Sequence, residues 1–193
     1  MRDALDGAPI DLFVDVGTGT GRILELFADR YARGLGFDLS TAMLAYARPK
    51  LDRAGIAHAQ VRQGDIYALP LADGAAGAVV MHQILHFLSD PARAISEAAR
   101  LLAPGGKLLI VDFAPHEQEF LRETQRHERL GFDTETVSKW MAAAGLKIER
   151  SRELAPAGAD GTAKLTVSLW LATRPAEANP AKTKSRSTLE RTA

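Results

Sequence analysis

Asp11-Leu12-Phe13-Val14-Asp15-Val16-Gly17-Thr18-Gly19-Thr20-Gly21-Arg22-Ile23-Leu24-Glu25-Leu26-Phe27 is the stretch on which the fold turns. Leu12 to Val16 is a short apolar run that reads as a strand. Gly17, Gly19 and Gly21 then supply a loop, and Ile23, Leu24, Leu26 and Phe27 follow at helical spacing. Glycines after a parallel strand allow backbone conformations and a close ligand approach that a Cβ would block, so a ligand should lie across this loop. A nicotinamide or flavin dinucleotide site would want G-x-G-x-x-G, but here Arg22 occupies the place of the last glycine. Asp15, just before the loop, would repel a phosphate and suit a ligand carrying an ammonium group. Mere turn chemistry is the other rival reading of the glycines.

Outward from that unit, the same alternation repeats. Gly34 to Phe37 reads as a strand, and Ser40 as the N-cap of a helix bearing Met43, Leu44, Tyr46 and Ala47, with Pro49 expected to kink or end it. Further strands are expected at Ala59 to Arg62 and Ala75 to Met81. A helix from Pro91 to Leu102 follows, stopped by Pro104-Gly105-Gly106, and then Lys107 to Phe113 as a buried central strand. Strands alternating with helices indicate βαβ units and a parallel sheet covered on both faces. Beyond Phe113 the pattern predicts a polar helix over Glu117 to Arg129, a capped helix from Asp133 to Gly145, and strands at Leu146 to Arg150 and Lys164 to Ala172. The turn-rich Pro156 to Gly161 joins those two strands as an antiparallel edge hairpin. Residues 1–173 form the expected domain, and 174–193, rich in Pro, Ala, Lys, Thr and Ser, a disordered tail.

Composition narrows the function classes. Lys plus Arg number 24 against 24 Asp plus Glu, so overall charge recruits neither nucleic acid nor an anionic membrane. No apolar run suits a membrane span or a secretory signal, and a soluble cytoplasmic protein is the expectation. There is no cysteine, which removes disulfides, thiolate zinc sites and cysteine nucleophiles. No metal site is assigned.

Asp15 to Gly21 resembles the first motif of the class I S-adenosylmethionine-dependent methyltransferases, and further matches follow in order between Asp11 and Phe113. Gly36-Phe37-Asp38-Leu39-Ser40 with Met43-Leu44 resembles the second motif, Gln63-Gly64-Asp65-Ile66 the third. Ala78 to Leu88 resembles the fourth strand and its sequel, and Leu101 to Leu108 the turn into strand five. The resemblance implies a Rossmann-like α/β fold, with a seven-stranded mixed sheet, helices on both faces and a C-terminal antiparallel hairpin. It also implies S-adenosyl-L-methionine as cofactor, held by Asp15, Gly17, Thr18, Gly19, Asp38, Leu39, Met43, Asp65, Ile66 and His82. In that scheme Asp38 takes the ribose hydroxyls, Asp65 accepts from the adenine amino group and Ile66 packs on the ring.

Methyl transfer from a sulfonium needs positioning and water exclusion more than covalent help. His82 and His116 are the candidate catalytic residues, with His86 and His127 also available as bases and His86 read as a core residue. The segment after strand four, Met81-His82-Gln83-Ile84, lacks the Asn/Asp-Pro-Pro-aromatic motif of nucleic-acid amino methyltransferases, and cytosine C5 or arsenite methylation would need cysteine. A small-molecule acceptor is therefore expected, with no direct nucleic-acid contact and no membrane. His116, Arg122, His127 and Arg129 are expected to help define its site. Val111 to His116 with Glu119 to Arg122 and His127 to Phe132 resembles methyltransferase modules behind winged-helix regulators of the arsenic-repressor type. That implies an attached N-terminal winged-helix domain in a longer protein, an open donor pocket, and a rival role as a non-catalytic sensor of S-adenosylmethionine or S-adenosylhomocysteine.

Overall fold

A computed structural model describes residues 1–5, 7, 9–154 and 165–176. After a 3-10 turn at Arg2–Leu5 come β1 (Ile10–Val16), α1 (Arg22–Leu26), β2 (Tyr31–Asp38), α2 (Thr41–Arg53) and β3 (Ala59–Gln63). Then follow β4 (Ala76–His82), α3 (Pro91–Leu101), β5 (Leu102–Phe113), α4 (Phe120–Gln125), α5 (Thr134–Ala143), β6 (Lys147–Leu154) and β7 (Val167–Thr173). One sheet of 7 strands runs in the order β3-β2-β1-β4-β5-β7-β6. β1 to β5 pair parallel, and β7 runs antiparallel to both β5 and β6, which gives the expected mixed sheet with a terminal hairpin.

Alternation along the strands sends their apolar residues into two cores. Val14, Val79, Ile110 and Trp170 pack with Ile95 of α3 and Met141 of α5, while Phe13, Val80, Leu109 and Leu171 pack with Leu24 of α1 and Leu44 of α2. Trp170, wholly buried, also donates its indole N–H to the Thr134 carbonyl at 3.1 Å, tying the hairpin to the start of α5.

Local signals set most boundaries. Ser40 caps α2 by accepting from the Met43 N–H at 3.3 Å, Asp133 caps α5 through the Thr136 N–H at 2.7 Å, and Pro91 occupies the first turn of α3. Ser40→Ala is expected to cost about 1 kcal/mol in urea unfolding, the worth of a helix N-cap; an unchanged midpoint would show that the cap contributes nothing.

Four expectations are corrected. Pro49 lies inside α2 and does not end it: the residue is exposed, so the carbonyl left without a helical N–H is on the solvent side, while Leu44, Ala47 and Leu51 hold the buried side. Pro104-Gly105-Gly106 does not stop a helix either. α3 ends at Leu101, and the three breakers form a bulge within β5, where Ala76 pairs with Leu102 but Ala78 pairs with Lys107. Arg174, which the sequence places in the tail, is bound to that bulge: its N–H and C=O pair with Gly106 and Gly105 at 2.8 Å, and its guanidinium donates to the Leu102 carbonyl at 2.6 Å. The polar helix over Glu117 to Arg129 shrinks to Phe120–Gln125, since Arg126 turns left-handed (φ 60°) and His127 is drawn into the interior. Residues Pro156 to Gly161, Lys164 and 177–193 of the predicted hairpin turn, last strand and tail fall outside the described residues. No helix among the described residues is long and apolar enough to cross a membrane.

Candidate functional site

The chain leaves β1 toward β2 and β3 on one side, and β4 leads to β5 on the other, so the carboxyl ends of β1 and β4 form the switch point where open α/β sheets bind ligands. A cleft of about 310 Å³ opens there. Val16, Gly17, Phe37, Asp38, Leu39, Gly64, Asp65 and Ile66 line it from the first three strands, and Tyr67, Ile84, Phe87, Leu88, Ser89 and Glu128 complete it.

The glycine loop explains its own spacing. Gly17, Gly19 and Gly21 all adopt left-handed φ of 75°, 52° and 73°, a region that costs other residues free energy. Gly17 has a second reason, because a Cβ there would stand 2.6 Å from Cγ1 of Ile84, which closes over the loop. Ile84 reaches this place after Gln83, a non-glycine residue at φ 51° directly beyond β4. The Gly17 and Thr18 N–H groups both donate to the Phe37 carbonyl, at 2.8 and 2.9 Å, and lock the loop to the end of β2.

Asp38 is the hinge of the cleft floor. One carboxylate oxygen accepts from the Gly19 N–H and the other from the Ser40 N–H, each at 2.8 Å, so the group joins the glycine loop to the start of α2. Four lone-pair positions on a carboxylate leave room for ligand hydroxyls. Asp65 accepts from the Tyr67 N–H at 2.9 Å and faces the same cleft as Asp38. Leu39, at the mouth, is 72% exposed. Met43 is also exposed but does not line the cleft.

Asp15 is buried beneath the loop. Thr18 donates its hydroxyl to Oδ2 at 2.6 Å, whereas Oδ1 is buried with no hydrogen-bond partner. Loss of hydration pushes its carboxyl from the ordinary 3.8 to about 7; the Thr18 hydrogen bond opposes this and the neighbouring Asp38 charge adds to it. A buried carboxylate oxygen without a donor is a place for a cationic or N–H-bearing group.

The histidines separate. His82 ends β4, half-buried and outside the cleft lining, with burial depressing its pKa against a smaller opposing pull from Asp112. His86 is buried, its Nδ1 2.7 Å from Asp112 Oδ1, consistent with a core role satisfied by a partner. The other Asp112 oxygen accepts from the Leu85 N–H at 2.9 Å. His116 and His127 belong to the crossover segment 114–132, and burial depresses both pKa values, helped by the nearby His86. His116 is not among the cleft residues. The Glu128 and Arg129 N–H groups donate to the His86 carbonyl at 2.9 and 3.2 Å, and Arg122 braces the segment by donating to the Glu128 carbonyl at 2.6 Å. Sequence reasoning misses Asp112 and Glu128. Asp112 does carry a signal, since it ends the apolar run of β5 as Asp15 and Asp38 close theirs; Glu128 carries none, being brought to the cleft only by the fold of the crossover. Among the described residues no group of three or more His, Asp or Glu could hold a metal ion.

Comparison with known proteins bears on the family and the fold. Demethylmenaquinone methyltransferase of Thermus thermophilus is 36% identical over 114 residues, 58% of this chain and 51% of that protein. The structure of geranyl diphosphate methyltransferase in complex with S-adenosylmethionine superimposes with a TM-score of 0.76 at 19% identity, covering 90% of this chain and 82% of that one. The YcgJ protein of Bacillus subtilis does so with 0.74 at 20% identity, covering 90% and 95%. These two likenesses speak for the fold alone, and the chain spans about half the length of several of the curated relatives it matches. The family model described as a methyltransferase domain matches residues 14–110, which hold the glycine loop, Asp38, Asp65 and the strands that place them. The chain belongs to the methyltransferase-domain family.

Proposed function

We propose that this domain binds S-adenosyl-L-methionine in the switch-point cleft and transfers its methyl group to a small-molecule acceptor. The observation that carries the reading is the convergence of Asp38 and Asp65 on one cleft that opens at the Gly17 turn. The donor's parts fit the residues. The ribose hydroxyls suit Asp38, the adenine edge Asp65 with Ile66 against the ring, and the ammonium group the region of Asp15, whose buried Oδ1 has no protein partner. Leu39 offers apolar cover at the mouth, and Gly17, Thr18 and Gly19 shape the loop; Met43 and His82 are kept in the proposal as donor contacts, although neither lines the cleft.

The donor supplies an electrophilic methyl on a sulfonium that leaves as a neutral thioether. The chain's own task is to align the acceptor and keep water away: Ile84, Phe87 and Leu88 wall the cleft with apolar surface, and His82 and His116 are assigned to orient the acceptor or take its proton. We assign the domain to residues 1–173 with Arg174 as its closing contact, and carry the likeness of 111–132 to regulator-fused modules as part of the proposal; sequencing the natural polypeptide upstream of Met1 tests that likeness.

Titration calorimetry with S-adenosylmethionine and S-adenosylhomocysteine, followed by radiolabelled methyl transfer to a metabolite panel, tests the function. Binding of both nucleosides with transfer to a metabolite is expected. Indifference to both nucleosides would sink the reading, and tight binding without transfer would replace it with a sensor.

A further inference from the structure

Three side-chain nitrogen atoms of the crossover segment are buried without a hydrogen-bond partner: His116 Nε2, His127 Nδ1 and Arg129 Nε. Orphaned polar atoms are costly, so a ligand that reaches these three and pairs with them gains by it. They sit together. The rings of His116 and His127 both lie against Phe113, at 5.9 and 5.8 Å between centroids, and His127 is only 8% exposed. Phe87, which lines the donor cleft, lies 5.2 Å from His127, and Arg129 reaches that cleft's wall by donating to the Ser89 carbonyl at 2.8 Å.

Their chemistry has a direction. His116 Nδ1 accepts from the Gln118 N–H at 3.2 Å, so the neutral ring carries its proton on Nε2 and presents a donor. Arg129 is always a cation, its Nε–H is a second donor, and it has no ion pair among the described residues. His127 supplies a donor or an acceptor according to its tautomer.

Resting on the donor site proposed above, we infer that His116, His127 and Arg129 form the acceptor's anchoring subsite, and that the acceptor carries an oxyanion, a carboxylate or a phenolate. The His116 N–H and the Arg129 guanidinium match lone pairs and negative charge, while they repel an ammonium. In this scheme His116 binds oxygen and is not the base.

Four probes of similar size test the inference: benzoate, 4-nitrophenolate, benzyl alcohol and benzylamine. They are titrated into the full chain with and without S-adenosylhomocysteine, by calorimetry and by histidine side-chain nitrogen NMR. At least one of the two anions is expected to bind tenfold or more tighter than the alcohol and the amine, shifting the His116 and His127 signals; which anion binds tells carboxylate from phenolate. Arg129→Gln should weaken that anion about tenfold with S-adenosylhomocysteine affinity within twofold, and Arg129→Lys, which keeps the charge but not Nε–H, should recover part. His116→Gln, with a melting temperature as a check on folding, should also weaken it. Failure of both anions to bind, an amine that binds as well, or an Arg129→Gln protein that binds as before would overturn the inference. Failure of S-adenosylhomocysteine alone would instead strike the donor assignment.

Discussion

Asp15→Asn is expected to stabilise the ligand-free protein at pH 8 more than at pH 4.5, by about 2 to 4 kcal/mol in the difference between the two conditions. The carboxyl titrates near 3.8 when unfolded and at about 7 when folded, because burial strips it of water. Between those values the folded chain holds a proton that the unfolded chain has lost. Stability therefore falls as pH rises from about 4 to 7 and is flat above, with a limit of ~4 kcal/mol set by about 1.4 kcal/mol per pH unit. Asparagine can still accept the Thr18 hydroxyl but has no charge to bury, so its own profile lacks this slope. Urea unfolding of both proteins at the two pH values reads the double difference, in which the other titrating groups cancel. An equal effect at both values would show that Asp15 is not a desolvated acid. The same substitution should weaken S-adenosylmethionine binding, since a cation beside Oδ1 is what would keep this group ionised in the complex.

Asp38→Ala should weaken S-adenosylmethionine by one to two decades, roughly 1.5–3 kcal/mol for a charge-assisted hydrogen bond. The upper end is expected, because the carboxylate also accepts from the Gly19 and Ser40 N–H groups and its loss releases the glycine loop from α2. Asp38→Asn keeps one acceptor oxygen and should fall between. Calorimetry at constant salt measures both, and an unchanged dissociation constant in the alanine protein would remove Asp38 from the ribose role.

The two predictions bracket what was legible. Asp15, the glycines, Asp38 and Asp65 stood out because each lies within a few residues of a strand end, and strand, loop and helix are written in local periodicity. The N-cap at Ser40 was equally local. Pro49 and Pro104-Gly105-Gly106 misled for the same reason: their local preference is to break structure, and burial of Leu44, Ala47 and Leu51 in one case and cross-strand pairing with β4 in the other outweighs it. His86 and Asp112 stand 26 residues apart in the chain, and neither predicts the other.

Alone, the amino-acid order determined the strand-loop-helix alternation and the three carboxylates at strand ends, since both follow from contacts between near neighbours. The tertiary structure decided which side chains meet across the crossover: His86 with Asp112, His127 against Phe113, Glu128 at the cleft. Those meetings depend on how an irregular segment settles over a finished sheet, where no period in the sequence carries the register, and the fit of buried rings and hydrogen bonds alone fixes it.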